Sequence, residues 1–221
     1  MEMRSIKLMI LFSAFAGILT AQTAAPKEGQ DLKAKAILDD LSKKTKAYTS
    51  VKAEFSMTME SKDKKTKETQ TGKLQLKGDK YKLEIKGQDI ITDGKTMWTV
   101  LRDAKETQVK TIDKSADEGV TPSNIFTIYE KGYKYKFESE KGNIQTISLF
   151  PIDPGTKKFH TIKLDVDKAK KQISGFKVMM KDGSVFSYLI TKFSSNAAIA
   201  DGIFGYDPKN YQGFELIDLR D

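Results

Sequence analysis

Val51-Lys52-Ala53-Glu54-Phe55-Ser56-Met57-Thr58-Met59-Glu60 alternates apolar and polar side chains without a break. Successive side chains of a strand point to opposite faces, so this stretch reads as a half-buried antiparallel strand with Val51, Ala53, Phe55, Met57 and Met59 inside. Just before it, Ala34, Ile37, Leu38, Leu41 and Tyr48 fall on one face of a helix over 31–48, and Asp31 stands where a side chain can cap it. After it the period stays at two. Strands are expected around 74–76, 81–85, 90–92, 97–101 and 108–112, with Asp93-Gly94 as a hairpin turn.

The polar, acidic run 113–120 (DKSADEGV) interrupts this pattern. Thr121-Pro122 then has the form of a helix start, Ile125, Phe126, Ile128 and Tyr129 supply an apolar face, and Gly132 is placed to end it. Strands resume over 133–138, 144–150, 159–166, 173–180 and 185–193, with Asp182-Gly183 as a second hairpin turn, and two short ones are expected at 203–206 and 214–219. The fold class is therefore mainly β (α+β): one strongly curved antiparallel sheet of about eleven strands, with an N-terminal and a central helix against one face.

Composition narrows the chemistry. The 221 residues hold 38 Lys+Arg against 30 Asp+Glu, one His and no Cys. Without cysteine there are no zinc-thiolate sites, iron–sulfur clusters, disulfides or thiol catalysis. Gly94-Lys95-Thr96 resembles the tail of a phosphate-binding loop, but its first glycine would fall on Asp89. His160 shares the parity of Ile162, Leu164 and Val166, which suits a structural histidine better than a catalytic base. No calcium-loop or paired-carboxylate motif appears. The expectation is a protein that is not an enzyme and holds neither metal nor cofactor. Lys62, Lys64, Lys65 and Lys67 cluster at a predicted hairpin tip, as a solvated turn or a docking contact.

The N-terminus carries an address. Arg4 and Lys7 precede a 12-residue apolar run, Leu8 to Leu19, and Leu19-Thr20-Ala21 stands before Gln22. That is the pattern of a secretory signal (1–21) cleaved after Ala21, too short for a comfortable transmembrane helix. No Cys follows for lipidation, so the expectation is a soluble periplasmic protein, with a disordered lead-in over 22–30 and one domain over 31–221. Glu2, Arg4 and Lys7 leave with the signal, reducing the formal charge from +8 to +7. Export disfavours nucleic acid as a partner for that charge and favours anionic lipid headgroups or an acidic protein surface. Twelve Phe, eight Tyr, eight Met and one Trp sit largely on one parity of successive strands. They either fill a core or leave apolar area that two short helices cannot cover, open to a greasy ligand. Met57, Met59, Met97, Met179 and Met180 suit a pocket that adapts to its occupant.

The order of elements resembles the outer-membrane lipoprotein carrier proteins, the LolA family. The likeness rests on Val51 to Met59 after an amphipathic helix, on Ile91-Thr92-Asp93-Gly94-Lys95-Thr96-Met97-Trp98, and on the closing Phe214-Glu215-Leu216-Ile217-Asp218-Leu219-Arg220. It implies an incomplete barrel with an apolar hollow and a helical lid. It also implies a carrier that takes acylated lipoproteins from an inner-membrane ATP-driven transporter to an outer-membrane acceptor. Strand parity then puts Phe55, Met57, Met59, Leu74, Leu76, Tyr81, Leu83 and Ile85 around the hollow, with Trp98 from the shared motif and Ile125, Phe126 and Tyr129 from the lid. Where the family typically has an Arg-Pro pair whose Arg latches the lid, this chain reads Lys77-Gly78-Asp79, and Lys77 or Lys80 is the candidate replacement. A periplasmic lipid or lipoprotein sensor on the same scaffold is the competing reading, but about 190 residues leave no room for a second domain. A monomer is expected.

Overall fold

In the computed structural model, residues 31–113 and 119–220 are described. The predicted signal peptide and lead-in lie outside them, as does 114–118 of the acidic interruption. Helix α1 spans Leu32–Lys46, and Asp31 caps it as expected, its carboxylate accepting from Lys33 N at 2.8 Å and Ala34 N at 3.1 Å. The same carboxylate accepts from Phe137 N at 3.0 Å, fastening the helix start to the sheet. Those amides hold the Asp31 carboxyl below its usual range. Ala34, Leu38 and Leu41 form the buried stripe.

Twelve strands build one sheet: β1 Val51–Glu60, β2 Lys67–Lys77, β3 Lys80–Ile85, β4 Gln88–Thr92, β5 Thr96–Leu101, β6 Glu106–Thr111, β7 Tyr133–Lys141, β8 Ile144–Pro151, β9 Phe159–Asp167, β10 Gln172–Met180, β11 Val185–Ser195 and β12 Glu215–Asp218. Their order is β12-β6-β5-β4-β3-β2-β1-β11-β10-β9-β8-β7. The sheet is curved and does not close, an incomplete barrel with β12 and β7 as its edges. β1 is central, paired with β2 on one side and β11 on the other, so the most regular strand of the sequence joins the two runs of hairpins.

Three expectations need correction. β12 runs parallel to β6, the one parallel pairing among the described strands of an otherwise antiparallel sheet. The strand expected at 203–206 is instead a short 3-10 turn over Asp201–Phe204, with Phe204 buried. The central lid helix does not form: 122–127 is a run of turns leading into a single 3-10 turn, Ile128–Glu130. Thr121 and Asn124 do cap a helical start, Asn124 Oδ1 accepting from Thr121 N at 2.8 Å and Thr121 Oγ1 from Asn124 N at 3.2 Å. The ladder then fails: Ile125 N donates to Thr121 O, but Thr127 N donates to Asn124 O and Glu130 N to Thr127 O, bonds of the tighter 3-10 spacing.

Both faces of the sheet bury apolar side chains, the outer one in a patch on β4 and β5, and the two are covered differently. Inside the curve, α1 and the lid pack on a large core that includes Leu76, Ile147, Leu149, Ile162 and Leu164. Outside it, the segment after β11 returns across β3–β6, placing Tyr211 against Ile91 and Val100, with Trp98, Tyr206 and Phe214 around them. Beneath Tyr211 lies Asp89, 1% exposed, accepting from Arg102 Nη2 at 2.5 Å and from Tyr211 Oη at 3.0 Å. Burial and the Asp89 charge push the Tyr211 hydroxyl up to about 12.

Candidate functional site

The inner faces of β1–β6, β10 and β11 do not meet the lid everywhere. They leave a hollow of about 440 Å³. Ala53 and Phe55 of β1, Leu74 of β2, Tyr81 and Leu83 of β3, Ile90 of β4 and Met97 of β5 form one wall. Ile173, Phe176 and Val178 of β10 with Tyr188 and Ile190 of β11 form the other, and Val120, Thr121, Pro122, Ile125 and Phe126 roof it. Lys110 of β6, an exposed side chain, is the one charged group among the described lining residues. The volume lies in the range of pockets that enclose small ligands.

Aromatic packing shapes the interior. Phe176 stacks on Tyr188 with ring centroids 4.4 Å apart, and Phe55 leans on the same tyrosine at 6.1 Å. Burial raises the Tyr188 hydroxyl above its ordinary pKa, so it stays a neutral phenol. Phe55 reaches its place because β2 has glycine opposite: a Cβ on Gly72 would stand 2.4 Å from Phe55 Cζ. Gly175 serves β10 similarly, since a Cβ there would meet the Tyr188 carbonyl oxygen at 2.6 Å. It sits at a register shift that carries the inward parity from Ile173 to Phe176.

The lid is tied at its far end. Glu130 accepts from Lys46 Nζ at 2.8 Å and from the Ser42 hydroxyl, joining the lid to α1. Those two donors hold the Glu130 carboxyl below its usual range. A second hollow, lined by Lys157, Lys158, Phe159, Met180 and Phe186 among others, meets the first at Val120, Val178 and Tyr188. Among the described residues no cluster of His, Cys, Asp or Glu could hold a metal ion, and no helix is long and apolar enough to cross a membrane.

An inner-face hollow of this kind, on an open twelve-stranded sheet, is what the sequence resemblance implies, and the family model described as outer membrane lipoprotein carrier protein LolA matches residues 46–207. This chain belongs to the LolA family. LolA-family chains form a binding and carrier family, which supports a lipid- or lipoprotein-binding role. Among solved structures it is similar to an uncharacterized conserved protein from Thermus thermophilus, at 12% identity and a TM-score of 0.54, covering 84% of this chain and 99% of that one. It is also similar to the Mycobacterium tuberculosis lipoprotein LppX (14% identity, 77% and 99% covered, TM-score 0.49). A third similar structure is the LolA superfamily protein NE2245 from Nitrosomonas europaea (13% identity, 79% and 98% covered, TM-score 0.44). At such identities the first likeness speaks to the fold, and the other two add nothing to the argument. No curated protein matches.

The structure brings together six of the residues expected around the hollow of this LolA-family chain: Phe55, Leu74, Tyr81, Leu83, Ile125 and Phe126. Leu76 and Tyr129 are buried in the core beside it. Met57 and Met59 are half-buried further along β1, opposite Gln70 and Glu68 and outside the lining. Ile85 borders a shallow polar groove with Glu54, Lys73, Asp89 and Arg102. Trp98 does not face the hollow: neighbours in a strand point to opposite sides, and Met97 takes the inner one. Neither Lys77 nor Lys80 touches the lid in the described contacts; both meet Asp201, at 3.2 and 3.4 Å, and hold the returning C-terminal segment. The latch on the lid is Lys46–Glu130. The wall of Phe176, Val178, Tyr188 and Ile190 is absent from the expected set, although Phe186, Tyr188 and Ile190 alternate with Ser187, Leu189 and Thr191 plainly enough in the sequence.

Proposed function

We propose that this protein carries the acyl chains of lipoproteins in the inner-face hollow, through the periplasm, from an ATP-driven transporter of the inner membrane to an acceptor at the outer membrane. One observation carries the reading: a hollow of about 440 Å³ is walled almost wholly by apolar side chains and roofed by turns rather than by a packed helix. Each methylene taken from water is worth about 0.8 kcal/mol, so acyl chains cannot cross an aqueous compartment uncovered. A roof held to α1 through Glu130 can open without melting the sheet, and cargo entry is coupled to that opening. The apolar run Leu8 to Leu19 ending at Ala21 supports export and release of a soluble chain beginning at Gln22.

The test is binding of an environment-sensitive apolar dye, with displacement by an acylated lipopeptide and by its deacylated form. Displacement by the acylated form alone is expected. No dye binding by the folded protein, or equal displacement by both peptides, contradicts the reading. N-terminal sequencing of the exported protein checks the start at Gln22, and an uncleaved chain in the membrane fraction rules out a shuttle.

A further inference from the structure

The basic hairpin tip singled out in the sequence does not stand alone. Three connections converge at one end of the sheet: 61–66 between β1 and β2, 152–158 between β8 and β9, and 181–184 between β10 and β11. Lys62 lies so close to the third that a Cβ on Gly183 would be 2.7 Å from its Cγ. Lys181 N donates to Lys158 O at 2.9 Å, and Lys181 Nζ donates to Pro154 O at 2.5 Å, fixing the second to the third. Six lysines, Lys62, Lys64, Lys65, Lys157, Lys158 and Lys181, thus share this end with three aspartates.

The aspartates are engaged by their own turns. Asp63 accepts from Ser61 Oγ at 2.6 Å and Lys65 N at 3.1 Å, Asp153 from Gly155 N at 3.1 Å, and Asp182 from Ser184 N at 2.9 Å and Oγ at 2.6 Å. Each closes its own turn while staying exposed, and Asp63 also lies 3.9 Å from Lys65 Nζ, so six lysines against three aspartates leave this end at a formal +3. Ile152, 61% exposed, adds an apolar tip on the middle connection. Lys157 and Lys158 also border the second hollow, which meets the first at Val120, Val178 and Tyr188. The basic end therefore borders a second hollow that shares three lining residues with the first.

We infer that this end docks on an anionic lipid surface, presenting the hollow to the bilayer. Lysines spread over three turns, without a fixed geometry for one carboxylate, suit a diffuse sheet of headgroups better than a shaped protein face. An exposed isoleucine among them suits entry into the interfacial region. The inference does not depend on the cargo, because docking needs no occupant in the hollow.

The test is co-sedimentation of the protein, purified from soluble extract, with vesicles of phosphatidylglycerol and with vesicles of phosphatidylcholine. Binding to the first only is expected, and it should vanish as NaCl approaches about 1 M, where charges are screened within roughly 3 Å. Lys62→Glu/Lys64→Glu/Lys65→Glu should weaken the partition by at least about tenfold. Lys62→Gln/Lys64→Gln/Lys65→Gln, which only removes charge, should fall between that variant and the parent. Lys134→Glu/Lys136→Glu/Lys141→Glu on β7, with the same change in net charge, should bind as the parent does. Dye binding in the hollow, measured alongside, should be equal in all of them, which separates failure of docking from failure of the carrier reading. Equal binding to both vesicles, no binding to either, or an equal loss in the β7 variant overturns the inference.

Discussion

The sheet buries an apolar patch on its outer face and a larger apolar surface on its inner face, and the chain seals only the first. On the outer face of β3–β6 the returning C-terminal segment sets Tyr211 on Ile91 and Val100 and closes over the buried Asp89 carboxylate, whose partner Arg102 is half exposed. On the inner face α1 covers part of the surface, and the turns of 119–127 roof the rest without filling it. Apolar content does not distinguish the faces, since Ile90 and Ile91, or Met97 and Trp98, are neighbours of like character. What differs is the covering element. A segment anchored on a buried carboxylate seals, whereas a roof tied through one exposed latch leaves room for something else.

The sharpest way to break that contrast is at the seal. Arg102→Ala leaves the buried Asp89 carboxylate with Tyr211 as its one remaining side-chain donor among the described residues, and should cost about 3 kcal/mol in denaturant unfolding, as for a buried charged acceptor that loses its main donor. Dye binding in the hollow should be unchanged wherever the variant is folded. A loss of binding at full stability would mean that the faces are coupled. A smaller effect is expected inside. Gly72→Ala brings a methyl against Phe55 and Ile85, pushing the ring into the hollow, so it should destabilise by about 1–3 kcal/mol and also weaken dye binding, in contrast to Arg102→Ala.

The latch should matter least to stability. Glu130→Gln removes a partly exposed ion pair, within about 1 kcal/mol of neutral, yet it should speed hydrogen exchange in 119–131 while leaving β1 and β11 protected. Acid should act in the same direction. The folded-state pKa of Glu130 is lowered, so its contribution is present above the usual carboxylate range and is lost as pH falls through the lowered value. Protection factors in the roof, which correct exchange for its intrinsic pH dependence, should therefore fall with acidification in the parent and stay flat in Glu130→Gln.

Much of this architecture is legible in local pattern, and the misreadings have physical causes. Val51 to Glu60 declares its strand because one residue in two is apolar over its whole length, and Asp31 declares the helix start because the carboxylate meets amides only two and three residues away. The roof misleads because Thr121 and Asn124 do cap a helical start, while the bonds beyond Ile125 run at the tighter 3-10 spacing and the helix does not propagate. Trp98 misleads because 96–101 carries apolar side chains on both parities, and what covers the outer face arrives more than a hundred residues later, with Tyr211. The β10 wall is hidden by the register shift at Gly175, which breaks the period of two between Ile173 and Phe176. The parallel pairing of β12 rests on four residues and has no local signal.

The central claim is that the open inner face, and not apolar surface in general, holds the cargo. Leu189 and Ile190 are adjacent on β11; the first is 59% exposed on the outside, and the second lines the hollow. Binding of an acylated lipopeptide to Ile190→Glu and to Leu189→Glu, each first shown folded by circular dichroism, compares the same charge on the two faces. An unpaired carboxylate where acyl chains lie costs several kcal/mol in desolvation, so Ile190→Glu should lose binding while Leu189→Glu retains it at the parent level. Equal binding by both, or a loss confined to Leu189→Glu, would contradict the account.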